Sequence, residues 1–318
     1  MKLKYATEEG LYMARMRLKT NATIKFTVSQ CVEEFLSLKS KENLAKASLA
    51  TYKQHLLVMT EVIGNVDIKS LNNDHLRIIT EHLEDEYSYN AVSTNTVYRV
   101  INTFLLWLHN EYKIELFKLK YLKTNQKIKE TFSDAELKAI SKKPDYSNCS
   151  YAEARNYMAV LIGLKTACRC ASLLELKVSD IHWDKGEILF RHNKNRSSVI
   201  YKLDNHLMKE LKEYISVCDM SEDSYLFLGS NNPTQIGDRP FQSSFRRYCE
   251  TRGCKVKSFH AIRRTSAVKF QQKYGNIFLT QRFLNHATTN TTLIYLKSLG
   301  LSSFENELKD FDILKDLK

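Results

Sequence analysis

The residues best able to do chemistry lie in the second half of the chain: cations, imidazoles and one tyrosine. His260-Ala261-Ile262-Arg263 sets an imidazole and a guanidinium three residues apart, which on a helix is one face. Taken alone, the pair reads by default as an ordinary helix surface. Leu284-Asn285-His286 is followed, nine residues after the histidine, by Tyr295. In one unbroken helix that offset is about 900°, so the two side chains would point opposite ways. Residues 287–292 are poor helix material and rich in capping residues, so a break is expected there, with His286 ending one helix and Tyr295 early in the next. Arg169 stands between two apolar helical stretches, where a charge is unfavourable unless an anion pairs with it; a salt bridge to Glu175 or Asp180 is the structural alternative. Such a set can hold an anion, move protons and present a phenol as nucleophile. The phosphate-binding P-loop, G-x-G-x-x-G, G-x-S-x-G and H-E-x-x-H patterns are all missing from the sequence.

Composition bounds the scaffold these side chains need. At 318 residues the chain suits two domains, and 43% hydrophobic with 26% charged residues is ordinary for a globular protein. Only nine Gly and three Pro argue against a loop-rich sandwich and for a mainly α-helical protein. No run approaches about 18 uncharged apolar residues, which excludes a helical membrane span, and the first residues lack the apolar core of a secretory signal. Seven scattered cysteines without a C-x-x-C pair read as reduced thiols, and a cytoplasmic location is expected. The net charge of +12 points to a polyanionic partner, nucleic acid above all. Residues 1–124 hold 17 Lys/Arg against 14 Asp/Glu, leaving 31 against 22 for residues 125–318.

After a short basic segment, 1–24, the pattern predicts four amphipathic helices across 25–117. One opens at Thr27-Val28-Ser29, one runs from about 45 to 63, a third is capped by Asn73 or Asp74, and a fourth runs from about 92 to 112. Their apolar stripes read as core. Residues 118–130, with five lysines between 118 and 129 and no clear period, are expected to form a basic linker, either solvated or lying along a phosphate backbone. Ser133-Asp134-Ala135-Glu136 has capping-box spacing and opens the second domain, 131–318. That domain reads as mixed. Helices are expected near 133–142, 151–166, from 171, and at 205–216, 240–252, 260–273, 278–284 and 290–296. Short strands are expected at 186–190 and 198–201, around the basic turn 192–196, with a third at 225–228. An amphipathic tail, 302–318, closes the chain.

In this order the motifs resemble the tyrosine site-specific recombinases, the family of phage integrases and Xer-like chromosome-dimer recombinases. That family's catalytic domain reads T-G-x-R-x-S-E-L-x-x-L, a hairpin lysine, H-x-x-R, L-G-H and a tyrosine nine residues later. Here stand Arg169, Lys194, His260 with Arg263, His286 and Tyr295, in that order, and Thr291-Thr292-Leu293-Ile294-Tyr295 matches the T-T-x-x-Y ending. The glycine before the first arginine is Ala167, the glycine of L-G-H is Asn285, and the usual acidic residue after Arg169 is Ser172. Lys194 shares its turn with Arg196 and is preferred, because an ammonium can give up a proton and a guanidinium essentially never does. The resemblance spans nearly the whole chain. It implies a mainly α fold with a small β-hairpin or sheet: an N-terminal helical core-binding (SAM-like) bundle and a mixed α/β catalytic domain.

The resemblance also implies a mechanism. Tyr295 would attack the scissile phosphate, giving a 3′-phosphotyrosyl link and a free 5′-hydroxyl. His260 would serve as base, Arg169 and Arg263 would clamp the non-bridging oxygens, His286 would donate to the same phosphate, and Lys194 would protonate the leaving oxygen. No metal, cofactor or ATP is implied. The implied partner is double-stranded DNA with a specific recombination site, embraced by both basic lobes and held by a homotetramer on two duplexes. The tail 302–318 would dock on a neighbouring subunit or pack on its own domain. Integration, excision, dimer resolution and movement of a mobile element all fit. Two other readings are a catalytically silent DNA-binding protein of the same fold, disfavoured by the complete set of six residues, and a type IB topoisomerase-like activity, disfavoured by the N-terminal bundle. A metal-dependent nuclease fits least, since no carboxylate cluster accompanies the motifs.

Overall fold

The computed structural model describes residues 26–42, 44–85, 89–124, 128–191, 198–230 and 234–299. The N-terminal segment 1–24, Lys194 and Arg196 of the hairpin turn, and the tail 302–318 lie outside the described residues. The chain divides into two compact units, Met1–Asn125 and Gln126–Lys318.

The first unit contains α1 (Val28–Lys41), α2 (Lys46–Ile63), α3 (Asn73–Asp85) and α4 (Ala91–Tyr112). Thr27 and Gln30 form a reciprocal capping box that starts α1. Helix α3 is capped one residue earlier than expected: Asn72 Oδ1 accepts from the amides of Asp74 at 3.0 Å and His75 at 3.3 Å. A cap must reach the second and third helical amides, and only Asn72 stands at that offset. The apolar stripes meet in a core where Phe35, Leu56, Ile79, Leu83, Ile101 and Phe104 are fully buried. The lysine-rich stretch after α4 is docked for part of its length. Asn102 donates to Leu119 O at 2.9 Å and accepts from Leu119 N at 2.8 Å, and Asn95 makes the same pair of bonds with Leu122 at the same distances. Each amide satisfies both backbone groups of one extended residue, as a neighbouring strand would. Phe117 and Leu119 are buried beneath.

The second unit opens with α5 (Asp134–Ile140), capped by Ser133 and Glu136 as expected, then α6 (Tyr151–Thr166) and α7 (Cys170–Leu174). A three-stranded antiparallel sheet follows in the order β1 (Ile181–His182), β2 (Glu187–Phe190), β3 (Val199–Lys202), with Ile188 opposite both Ile181 and Tyr201. The rest is helical: α8 (Asn205–Val217), α9 (Asp238–Thr251), α10 (His260–Tyr274), α11 (Ile277–Phe283) and α12 (Thr289–Lys297). The expected strand at 225–228 is not one. Tyr225 and Leu228 make only isolated bridges, to Lys177 and Gln235, while Leu226 and Phe227 fill the core. The buried Arg155 of α6 holds this segment by donating to Leu228 O at 2.7 Å. The third strand is instead the two-residue β1, too short to leave a period in the sequence.

Helix α6 is buried on nearly every side and packs directly on α10. A Cβ placed on Gly163 would lie 2.9 Å from Phe259 Cζ and 3.0 Å from Ile262 Cγ2, so glycine is what lets the two helices approach. All seven cysteines are free, with Cys31, Cys168, Cys249 and Cys254 buried. Among the described residues no helix is long and apolar enough to cross a membrane.

Candidate active site

Arg263 is the anchor of the site. It is 3% exposed on α10, and its guanidinium donates through Nη1 to Ala167 O and through Nη2 to Leu284 O, the latter at 2.8 Å. Both acceptors lie at helix ends turned by left-handed residues. Ala167, the residue after α6, has φ of 47°, and Asn285, after Leu284, has φ of 46°. These are the two positions where the resembled family carries glycine, which adopts that conformation without strain; asparagine tolerates it and alanine does so at a cost.

Arg263 Nη2 also meets His286 Nε2 at 3.1 Å. A guanidinium can only donate, so Nε2 is the acceptor, and the imidazole proton sits on Nδ1, 3.1 Å from Thr292 Oγ1. Burial, and then the charges of Arg263 and Arg169, push the His286 pKa down to about 4, so the ring is neutral. In this arrangement His286 orients Arg263. Donation from Nε2 to a phosphate, the role implied by the resemblance, requires that contact to be given up.

Tyr295 packs on the small cluster of Ala167, Ala267, Leu284 and Leu299. Its ring stands edge-to-face to His286 at 5.5 Å and 84°, and to His260 at 6.4 Å and 82°. Among the described residues the buried hydroxyl meets no partner in ordinary hydrogen-bond geometry, and the Arg263 guanidinium lies close enough to favour its phenolate. Burial raises its pKa, against the opposing pull of Arg263, Arg264 and Arg169. The helix break falls at 284–288, earlier than the expected 287–292, so His286 lies within it and not at a helix end; Thr288 accepts from Thr291 N at 3.2 Å and starts α12. Tyr295 sits late in that helix, not early, because α12 runs only from Thr289 to Lys297. His260 opens α10. Desolvation, and four cations, Arg263, Arg264, Lys129 and Arg169, hold its pKa down to about 4. The residue as a whole is exposed, so the cations are the firmer cause.

Arg169 occupies the N-cap position of α7. It does not pair with Glu175 or Asp180; Asp180 is ion-paired to Arg191 and accepts from Lys177 N at 2.9 Å. Its charge depresses the pKa values of Arg263, His260 and His286, which puts its guanidinium within the field of the same pocket. The fold therefore brings together His260, Arg263, His286 and Tyr295, with the charge of Arg169 felt by His260, Arg263 and His286, a set whose chemistry suits an anion. Lys194 lies outside the described residues. Sequence reasoning missed four contributors: Thr292, which receives His286; Arg264 and Lys129, which add charge beside His260; and Tyr201, whose hydroxyl donates to Phe283 O at 2.9 Å. Thr292 was signalled by the T-T-x-x-Y ending and Arg264 by its place beside Arg263; Tyr201 stood out only as a tyrosine close in sequence to the proposed site residues. Among the described residues no group of three or more His, Cys, Asp or Glu could hold a metal ion.

Residues 130–300 match the phage integrase family. A tyrosine recombinase of Pseudothermotoga lettingae is 26% identical over 157 residues, 49% of this chain and 54% of that protein, so the chain spans about half of that relative. Tyrosine recombinase XerA of Pyrococcus furiosus is 23% identical over 272 residues, 85% of this chain and 90% of that protein. Among solved structures, a lambda integrase tetramer bound to a Holliday junction superposes with a TM-score of 0.67 at 14% identity, covering 93% of this chain and 88% of that one, which establishes a shared fold.

Proposed function

Since the chain belongs to the phage integrase family, we propose that it is a site-specific DNA recombinase that cuts and rejoins strands through Tyr295. The Tyr295 oxygen bonds to phosphorus as the bond to the 5′ oxygen breaks. The phenolic proton passes to His260, which is neutral at physiological pH, and the departing oxygen takes a proton from Lys194. Arg169 and Arg263 stabilise the charge that builds on the non-bridging oxygens. Three of the five N–H bonds of Arg263 are committed to Ala167, Leu284 and His286, so at most two reach the phosphate. The phosphotyrosyl bond conserves the phosphoester linkage, and attack by a 5′-hydroxyl reverses the step without ATP.

The observation that supports this reading most is the convergence of His260, Arg263, His286 and Tyr295 from three separate motifs on one pocket. A homotetramer on two duplexes is part of the proposal, by likeness to the lambda integrase tetramer. Helices α11 and α12 leave Phe278 66% and Ile294 52% exposed, an apolar face suited to the tail 302–318 of a neighbouring copy.

The test is a nicked substrate carrying the cognate site, from which the cut fragment diffuses away. Wild-type protein is expected to accumulate as a covalent adduct resistant to denaturant and mapping to Tyr295. Tyr295→Phe is expected to bind the same DNA and form none. An adduct on Tyr201 or Tyr274, or an undiminished adduct in the Phe variant, overturns the assignment.

A further inference from the structure

Helices α7 and α10 start at the two places where site residues sit, and neither start has a side-chain cap of its own. Arg169 is the N-cap residue of α7 and Phe259 that of α10, one position before His260; neither side chain accepts a helix amide. Both starts are reached instead from α9 by Gln242. Its Oε1 accepts from Phe259 N at 3.0 Å, and its Nε2 lies 3.3 Å from Cys170 Sγ, with Asp238 Oδ1, one turn back on α9, at 3.4 Å. The orientation of the amide is fixed by its partners: Phe259 N–H can only donate, so the oxygen must face it, and the NH2 then faces sulfur and carboxylate. The same helix clasps the Phe259 ring edge-to-face between Phe241 and Phe245, each at 5.2 Å between centroids.

We infer that Gln242 is a positioning residue for strand cleavage: one amide that ties the backbone beside His260 to the residue beside Arg169 and so sets their separation. It touches no reacting atom. Its effect passes through two helix starts that have no side-chain cap of their own. The proposal rests on the reading of Arg169, His260 and Tyr295 as the cleavage machinery. Misplacement by about 1 Å is enough to slow an oriented reaction by as much as about 100-fold.

The test uses full-length Gln242→Met, which keeps length and packing and loses both polar contacts, in single-turnover cleavage of the nicked substrate from pH 4 to 8. Expected is an adduct-forming rate about 10- to 100-fold lower at neutral pH, with site binding changed less than about twofold. Its acid limb is also expected to rise, because a His260 displaced from its cations titrates nearer its ordinary value of about 6.5. Cys170→Ser, which keeps an acceptor, is expected to cleave as wild type does. A Gln242→Met protein that cleaves at the wild-type rate, or whose loss matches lost binding with the acid limb unmoved, overturns the proposal while leaving Tyr295 in place. If Gln242→Met fails to fold, Cys170→Val, which cuts the α7 end of the tie, carries the test: an unchanged rate there overturns it too. A wild-type protein that forms no adduct on cognate DNA overturns the reading of the site itself, and this inference with it.

Discussion

Arg169 and Arg263 occupy matching places in the family motif but differ physically. Arg263 is buried and grips two backbone carbonyls as well as His286, whereas Arg169 is half-buried at a helix start. Either substitution to Ala is expected to lower cleavage by about 10²–10³, the usual loss for one donor to a developing charge. Only Arg263→Ala should also lose stability, by about 1–3 kcal/mol, because Ala167 O and Leu284 O are left buried and unpaired. Thermal midpoints measured beside cleavage rates separate the two. The histidines add a pH dependence of definite sign. Both have pKa values near 4 in the fold, below the unfolded value, so in acid the unfolded chain binds protons that the folded chain refuses. Their stability contribution is complete above about pH 6.5 and is lost as pH falls through about 4. Thermal midpoints are expected to drop across that window less steeply in His286→Gln than in the wild type. Cleavage at pH 5.5 should stay within about twofold of its neutral value, where an unperturbed imidazole would be about 90% protonated.

At the scale of elements, the long helices were legible because their apolar residues recur with helical spacing, and α6 has the expected bounds, 151–166. What escaped was whatever depends on contacts distant in sequence. Tyr225–Leu228 looks like a strand because it is apolar, yet it is held by distant partners, Leu228 O by Arg155, more than seventy residues away. The motif reading found Arg263 but could not find its partners, since two of them are backbone carbonyls that carry no residue signature. The departures Ala167 and Asn285 became intelligible only as left-handed turns that aim those carbonyls. Ala167→Gly is accordingly expected to preserve cleavage and raise stability by up to about 1 kcal/mol, and Ala167→Val to lower both. Gly163→Ala should lower stability by about 1–3 kcal/mol, because its Cβ collides with Phe259 and Ile262 and must push α10 away. Chemical denaturation of the three variants checks the order.

Across the whole molecule the charge is lopsided. The dividing residue Asn125 is neutral, so the two units carry 17 − 14 = +3 and 31 − 22 = +9. Affinity for cognate duplex is expected to fall steeply, by orders of magnitude between about 50 and 200 mM salt, if some 6–10 phosphates are neutralised. Titrations that stay flat over this range refute the electrostatic part of the reading. Folding also silences the sulfur chemistry of the chain. Desolvation lifts the thiols of Cys31 and Cys249 to about 12 and those of Cys168 and Cys218 to about 11, and it raises Cys149, Cys170 and Cys254 as well. Since the thiolate is the reactive form, all seven sulfurs are latent nucleophiles while the chain is closed. The four buried ones, Cys31, Cys168, Cys249 and Cys254, are unmasked only when their own regions open, so an electrophile in the surrounding solution reads out local breathing there, from α1 in the first unit to the turn after α9 in the second.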